Sequence, residues 1–194
     1  AADEGARTID IKKLESLIGR VRDLRSPKPE ARVDALKPIF GTVPAPLDAH
    51  AEELPGPTGE LNRLSNHARG IVLCLGPDHE TALEQAVMAL AQGNKAVVIA
   101  PGVEDTVARA AEAGLPVVGV DGLLEPSALE QARGFAAVVS CAQTDLLKAY
   151  RMALAKREGA LLPLITEHTL DQRYVIERHL CVDTTAAGGN ASLI

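Results

Sequence analysis

Between residues 70 and 166, short continuous apolar runs alternate with amphipathic stretches. A run of roughly four to eight apolar residues is typical of a strand buried on both faces, and apolar positions at helical spacing predict a helix. The predicted strands are Ile71–Leu75, Ala96–Ala100, Pro116–Val120, Ala136–Ser140 and Leu161–Ile165, and the predicted helices are Glu80–Gln92, Glu104–Ala113, Pro126–Arg133 and Thr144–Arg157. This alternation predicts an α/β fold, a Rossmann-like parallel sheet with helices on both faces.

Residues 1–53 are expected to contain one helix and then an extended connector. Apolar residues recur at helical spacing from Ile11 to Leu24, and Pro27 and Pro29 end the helix. Prolines continue at intervals up to Pro46. We therefore expect the connector to have no core of its own.

Two further segments are predicted to be strands outside the main sheet. Residues 54–69 begin with a turn-rich stretch and continue into a short polar strand or hairpin near Leu61–Asn66. In Arg173–Val182 the apolar residues share one parity, which indicates an exposed strand. We expect both segments to form a β-flap. Residues 167–194 would then supply the flap strand and an extended C-terminal tail of mainly small residues.

Composition narrows the range of partners. The formal net charge is −6, so a nucleic acid or an anionic membrane surface is not expected. No apolar run reaches the roughly 18–20 residues of a membrane span, and the N-terminal residues lack the apolar core of a signal peptide. The three cysteines are far apart, which favours reduced thiols in a cytoplasmic protein. The five histidines share no metal-ligand spacing, so we expect no metal site.

The turns after the predicted strands offer little to a phosphate group. A nucleotide in such a sheet binds at the carboxyl ends of the strands, where glycines let backbone N–H groups approach phosphate. The turn after the first strand contains Pro77, Asp78 and Glu80, and the turn after the second strand is also acidic. The turn Cys141–Thr144, after the fourth strand, has no glycine. We therefore expect this chain to hold no cofactor.

The sequence also lacks a recognisable catalytic arrangement. Neither Cys74 nor Cys141 has an obvious activating partner in sequence, so we predict that cysteine chemistry has no role in function. Glu167 and His168 are the one acid/base pair in a suitable place, and no nucleophile stands beside them in the sequence. Two alternatives stay open. One is a binding module for a nucleotide or small molecule, and the other is a self-sufficient enzyme that uses Glu167, His168 or a cysteine.

Several segments resemble a known family. Residues 54–62, 69–72, 91–98 and 162–167 resemble, in this order, parts of the cofactor domain of aldehyde dehydrogenases. Residues 182–193, Val-Asp-Thr-Thr-Ala-Ala-Gly-Gly-Asn-Ala-Ser-Leu, are similar to the C-terminal motif of long bifunctional proline utilization A enzymes of bacteria. Together these segments cover about the last three-quarters of the chain.

The resemblance implies a place for the chain within a larger enzyme. Such enzymes join an FAD-dependent proline dehydrogenase to an NAD-dependent L-glutamate-γ-semialdehyde dehydrogenase, and the intermediate passes between them through an internal cavity. Longer members carry a degenerate copy of the dehydrogenase cofactor domain, with a β-flap, as a lid over that cavity. By this resemblance, residues 70–166 are the degenerate copy. Its partner is the aldehyde dehydrogenase domain of the same parent chain, and the flap is the expected surface for a homo-oligomer.

Departures from the family pattern mark the degenerate positions. An active aldehyde dehydrogenase has a cofactor-binding lysine where this chain has Ala100, and Gly-Ser-Thr-Glu where this chain has Cys141–Thr144. The catalytic domain with its nucleophilic cysteine is missing, so Glu167 is expected to be a relic. The resemblance implies a non-catalytic lid and interaction domain without a cofactor of its own. The residues expected to dock on the neighbouring domain are Thr184, Thr185, Ala186, Ala187, Gly188, Gly189, Asn190, Ala191, Ser192, Leu193 and Ile194.

Overall fold

The computed structural model describes residues 7–183, which form strands and helices in close alternation. In chain order the elements are β1 (Thr8–Ile9), α1 (Ile11–Asp23), α2 (Pro29–Phe40), β2 (Glu52–Leu54), β3 (Glu60–Ala68), β4 (Ile71–Cys74), α3 (His79–Ala91), β5 (Lys95–Ile99), α4 (Glu104–Glu112), β6 (Val117–Val120), β7 (Leu123–Leu124), α5 (Pro126–Gln131), β8 (Ala137–Val139), α6 (Thr144–Ala155), β9 (Leu164–Ile165) and β10 (Val175–Asp183). A 3₁₀ turn over Asp171–Tyr174 precedes the last strand.

The centre of the molecule is a parallel sheet of five strands in the order β6-β5-β4-β8-β9. Starting from β4, the chain adds β5 and β6 on one side and then β8 and β9 on the other. The direction of strand addition therefore reverses between β4 and β8, which is the topological switch point where sheets of this type bind ligands. The predicted Rossmann-like α/β fold is confirmed.

Helices cover both faces of this sheet, as the continuous apolar strands predict. Residues of β4 alternate between the faces: Leu73 packs with α1, α5 and α6, whereas Val72 and Cys74 pack with α2, α3 and α4. All three side chains are fully buried. Each face also holds one buried tyrosine, Tyr150 on the side of α6 and Tyr174 on the side of α3. Both faces of the strands are apolar because neither meets water.

The prediction of an extended connector in residues 26–53 is wrong for Pro29–Phe40, which form α2. Pro29 occupies the first turn, where the fixed φ of proline suits the helix and its missing N–H is not needed. Pro38 lies close to the C-terminal end, where it interrupts little of the helix. Leu36 is fully buried against α3 and α4, so the segment does contribute to the core. Pro29 therefore lies at the start of this helix and Pro38 lies near its end.

A two-residue parallel pairing of β1 with β7 was absent from the sequence prediction. Thr8 lies opposite Leu123, and Ile9 lies opposite Leu124. Gly122 allows this approach, because its φ is +150° and a Cβ there would lie 2.3 Å from the carbonyl oxygen of Arg7. The pairing fixes the start of α1 to the loop that follows β6.

The predicted β-flap is a three-stranded antiparallel sheet in the order β10-β3-β2. β10 pairs with β3 along its whole length, from Val175 opposite Ala68 to Asp183 opposite Glu60. The flap includes β2, so it begins at Glu52 and not at residue 54 as predicted. The expected tail, from Thr184 onward, lies outside the described residues.

The turn between α3 and β5 joins the peripheral segments to the sheet. The Gln92 side chain donates to the carbonyl of Ala45 (2.9 Å), and the Lys95 ammonium donates to the carbonyl of Leu24 (2.7 Å) after α1. The fully buried Asn94 accepts a hydrogen bond from the backbone N–H of Gly70 (3.1 Å) and donates to the carbonyl of Tyr174 (2.9 Å). Gly70 follows β3 and Tyr174 precedes β10, so one amide holds both ends of the flap.

Arg32 of α2 completes this network as a buried cation. Its side chain is 2% exposed and donates to the carbonyls of Pro27 (3.0 Å), Leu90 (3.1 Å) and Asn94 (2.6 Å). Leu90 lies in the last turn of α3, where the helix dipole favours a positive charge. Removal from water lowers the pKa of Arg32, although a guanidinium stays charged at neutral pH.

We predict that Arg32→Met lowers the free energy of unfolding by about 3 kcal/mol, because it leaves buried carbonyls without a donor. Urea denaturation followed by circular dichroism measures this change. Arg151→Met on the exposed face of α6 is the matched control and should shift the midpoint little. Equal midpoints for the two variants would contradict the assigned role of Arg32.

Candidate functional site

The candidate site is the carboxyl edge of the parallel sheet at the switch point. Gly76 follows β4 and Cys141 follows β8, and the backbone N–H of Cys141 donates to the carbonyl of Gly76 (3.0 Å). One residue earlier on the β4 side, the N–H of Leu75 donates to the carbonyl of Val139 (2.9 Å). Backbone pairing between these two segments therefore continues past the strand ends.

Gln85 of α3 binds both backbone polar groups of Gly76, the residue at the turn after β4. Its side chain is fully buried, and its carbonyl oxygen accepts from the N–H of Gly76 (3.1 Å). Its amide nitrogen donates to the carbonyl of the same glycine (3.2 Å). In nucleotide-binding folds, backbone N–H groups at this turn bind phosphate. Here the N–H of Gly76 is already bonded within the chain.

The helix N-termini at this edge carry carboxylates. Asp78 caps α3, and its side chain accepts from the N–H of Thr81 (2.9 Å). At α4, the N–H of Glu104 donates to Asp121 (3.0 Å) and the N–H of Asp121 donates back to Glu104 (3.1 Å). These carboxylates occupy the positive ends of the helix dipoles, so they disfavour a second anion there.

The two positions expected to be degenerate lie at this edge. Ala100 directly follows β5 and is fully buried, and its methyl group offers no hydrogen bond to a phosphate. Cys141 lies two residues after the end of β8 and is half-buried. Both placements support the expectation that this edge holds no dinucleotide, which stays a prediction.

Cys141 and His168 form a side-chain pair that the sequence did not reveal. The Cys141 Sγ lies 2.9 Å from His168 Nδ1, and His168 Nε2 lies 3.2 Å from a carboxylate oxygen of Glu84 on α3. The interpretation that Cys141 has no activating partner, and that His168 has no nucleophile beside it, is therefore wrong. The three residues are far apart in sequence and meet because β8 and β9 are neighbours whose ends lie over α3. The lack of an activating partner is therefore no longer a reason to exclude cysteine chemistry at Cys141.

The hydrogen-bond network assigns the protons of this triad. A carboxylate accepts only, so neutral His168 carries its proton on Nε2 and donates it to Glu84. Nδ1 is then an acceptor that lies 2.9 Å from the Cys141 sulfur, and the carbonyl of Thr166 is a second acceptor, 3.3 Å from the same thiol. Burial raises the pKa of the Cys141 thiol, hydrogen bonds with Gln85 and with the backbone of His168 act in the opposite direction, and the negative charges of Glu84 and Asp78 raise it again. The thiol is therefore protonated at rest and lies beside a base.

Glu167, the other member of the predicted acid/base pair, lies apart from this triad. Its exposed carboxylate is 3.6 Å from Arg173, and its pKa is lowered by its own backbone N–H and by Arg173. Tyr174 instead contacts the triad, because its hydroxyl donates to the carbonyl of His168 (2.8 Å). The loop after β9 is thereby fixed to the residue that precedes β10.

The other two thiols lie in different surroundings. Cys74 is fully buried at the end of β4, and burial strongly raises its pKa. Cys181 is exposed on β10, opposite Asn62 of β3. Of the three free thiols, Cys141 is the one that the described structure places against an imidazole.

A groove of about 670 Å³ runs past His168 on the side of α3. Its walls are mostly apolar and are formed largely by Phe40, Leu83, Val87 and Met88, with Glu84 and His168 at the polar end. A second cavity of about 690 Å³ lies at the base of the flap, beside Arg69, Gln92 and Asp171. The groove is the cavity that reaches the triad.

The described residues contain neither a metal cluster nor a membrane-spanning helix. Between residues 7 and 183, no group of three or more His, Cys, Asp or Glu side chains has the arrangement of a metal site. Within the same part of the chain, each helix is too short or too polar to span a bilayer.

Comparisons with known proteins give consistent relatives, although no family model matches the chain. The bifunctional protein PutA of Salmonella typhimurium is 37% identical over 147 residues, which is 73% of this chain and 11% of the relative. The PutA of Escherichia coli is 36% identical over 148 residues, with the same coverage. Among solved structures, a variant of proline utilization A from Bradyrhizobium japonicum is 26% identical, covers 69% of this chain and 14% of its own, and has a TM-score of 0.51. The chain thus spans about a tenth of the length of the curated relatives it matches.

We predict that the chain does not bind NAD⁺, NADH or FAD with a dissociation constant below about 100 µM, which corresponds to about −5.5 kcal/mol. The reason is that Gln85 occupies the N–H of Gly76 and that Ala100 supplies no donor. Isothermal titration calorimetry measures this directly, with an active aldehyde dehydrogenase as the positive control. A smaller dissociation constant for any of the three cofactors would contradict the prediction that this edge holds no dinucleotide.

Proposed function

Since this chain belongs to the proline utilization A (PutA) family, we propose that it is a non-catalytic lid and interaction domain of a bifunctional proline dehydrogenase and L-glutamate-γ-semialdehyde dehydrogenase. The observation that carries this proposal is the hydrogen bonding of Gly76, at the switch point, to Gln85 and to Cys141. Such a domain keeps a rigid α/β body and gives up the cofactor crevice. In this proposal, FAD and NAD bind to other domains of the full-length enzyme.

The flap is the proposed contact surface. Ile176, Leu180 and Val182 of β10 are 37%, 54% and 39% exposed and share one face of the strand. β10 is also the last strand of its sheet in the described residues, and such an edge can pair with another chain segment. An apolar stripe beside a strand edge suits a protein surface. We assign it to the aldehyde dehydrogenase domain of the same parent chain, and a homo-oligomer through the flap would use the same surface.

The docking role extends in this proposal to Thr184–Ile194, which lie outside the described residues. β10 begins at the base of the flap, beside the buried Tyr174, and ends at Asp183 opposite Glu60. Nine residues of strand span roughly 27 Å. The tail therefore starts at the tip of the flap, where a neighbouring domain is within its reach.

We place the protein in the cytoplasm as part of the same proposal. Cys74, Cys141 and Cys181 are all free thiols, and free thiols are usual in reducing compartments.

The second candidate function is a regulatory module that binds a small molecule. The groove of about 670 Å³ favours it, because a mostly apolar cavity with a few polar groups is the usual form of a ligand site. A screen of metabolites by thermal shift tests this candidate, since a ligand specific for the folded state raises the melting temperature.

We predict that Leu180→Asp, introduced into the full-length enzyme, weakens docking of the flap by about tenfold or more. Burial of a leucine contributes roughly 1.5–3 kcal/mol, and the aspartate would lose this contribution. Sedimentation velocity and the rate of semialdehyde oxidation are the measurements. His179→Asp places the same charge on the opposite face of β10 and is the matched control. An equal response of the two variants would argue against a contact through this face.

Deletion of Thr184–Ile194 from the full-length enzyme is expected to slow semialdehyde oxidation and the coupled reaction, while proline oxidation stays close to its original rate. The tail would complete the wall of the cavity beside the second active site, and a small misplacement there slows turnover on the order of 10²-fold. Steady-state kinetics of each half-reaction, with the lag in NADH formation, measure the effect. Unchanged kinetics in all three assays would show that the tail has no docking role.

A further inference from the structure

We propose that Cys141 is a covalent modification site, at which a thiol paired with His168 and Glu84 reacts with small neutral electrophiles such as hydroperoxides. This site lies outside the lid and docking role and does not depend on it. It uses three side chains from the end of β8, the loop after β9 and the body of α3.

The geometry is that of an activated nucleophile. An effective site of this kind places a nucleophile within hydrogen-bond distance of a base, and a third group orients the base. Cys141 Sγ and His168 Nδ1 are 2.9 Å apart, and Glu84 holds the far side of the ring at 3.2 Å. The ring is fixed further through its backbone, because the carbonyl of His168 accepts from Tyr174. Base and thiol are therefore aligned before any reagent arrives.

The surroundings select which reagents can react. Asp78 and Glu84 place negative charge near the sulfur and raise the pKa of the Cys141 thiol, in addition to burial. Anionic reagents, such as glutathione disulfide, are repelled by the same charges. The thiol is half-buried, and the lining of the groove includes His168 but not Cys141. A small neutral molecule is not repelled by these charges and is small enough to reach the half-buried thiol.

The reaction with a hydroperoxide balances without a further reactant. As the thiol proton passes to His168 Nδ1, the sulfur attacks one peroxide oxygen and the O–O bond breaks. An S–O bond forms, and the sulfur is oxidised by two electrons to a sulfenic acid while the peroxide is reduced. The leaving hydroxide or alkoxide takes the proton from His168 and departs as water or an alcohol. Glu84 stabilises the imidazolium that exists between these steps.

The test is the rate of sulfenic acid formation at each thiol of the full chain. The chain is treated with hydrogen peroxide, sulfenic acids are trapped with dimedone, and mass spectrometry gives the rate at each cysteine. Cys181 is the internal reference, because it is exposed on β10 and lies far from the triad in the fold. Cys141 is expected to react faster than Cys181 at neutral pH, although it is less exposed. An equal or slower rate at Cys141 overturns the proposal.

Two variants separate base assistance from simple access. His168→Asn keeps a hydrogen-bond acceptor near the sulfur and removes the base, so it should slow Cys141 on the order of 10²-fold. Glu84→Gln still accepts from Nε2 and removes the charge, so it should slow Cys141 by a smaller factor. The rate at Cys181 should stay the same in both variants. An unchanged Cys141 rate in His168→Asn overturns the proposal.

The unmodified chain keeps the proposal falsifiable if His168→Asn does not fold. The comparison of Cys141 with Cys181 needs no substitution, so an equal or slower rate at Cys141 still overturns the proposal.

Discussion

The buried side chain of Asn94 is the contact on which the periphery of the molecule depends. Its amide bonds Gly70, Ala89 and Tyr174, and its backbone carbonyl accepts from Arg32. In a dry interior, any of these groups left without a partner would cost about 1–3 kcal/mol, so the four contacts favour a single arrangement. Since Gly70 and Tyr174 are the two roots of the flap, this buried side chain helps to set the position of the flap relative to the sheet, together with the exposed hydrogen bond from Arg69 to the carbonyl of Arg173 (2.7 Å).

The main sheet could be predicted from the sequence because burial on both faces requires apolar residues at every position of a strand. Asn94, Gln85 and Arg32 could not, because a single polar residue in or beside a helix has the same local pattern whether it is exposed or buried. Their partners lie up to 80 residues away and become neighbours only through strand order. α2 was missed for a different reason. Pro29 was interpreted as a helix breaker, whereas a proline can equally begin a helix when the residues after it are able to continue one.

At the carboxyl edge of the sheet, side chains of α3 hydrogen-bond the groups that follow β4 and β9. Buried polar groups need partners, and a crevice without a ligand must supply them from its own side chains. The side chain of Gln85 hydrogen-bonds Gly76. The side chain of Glu84, the preceding residue, hydrogen-bonds His168. Family resemblance indicated Ala100 and Cys141 as positions without phosphate donors, which stays a prediction. It gave no indication of the new pair, because Cys141 and His168 are 27 residues apart and belong to separate strand ends.

The two tyrosines allow the two faces of the sheet to be monitored separately by spectroscopy. The chain has no tryptophan and two tyrosines, and each tyrosine is buried on a different face of the sheet. The Tyr150 hydroxyl donates to Leu124 (3.1 Å) and burial raises its pKa to about 12, whereas the Tyr174 hydroxyl contacts the loop that carries His168. Near-ultraviolet circular dichroism and tyrosine fluorescence therefore contain one signal from each layer. If either tyrosine is replaced by phenylalanine, the remaining tyrosine signal reports on the other face of the sheet alone, and no added label is needed.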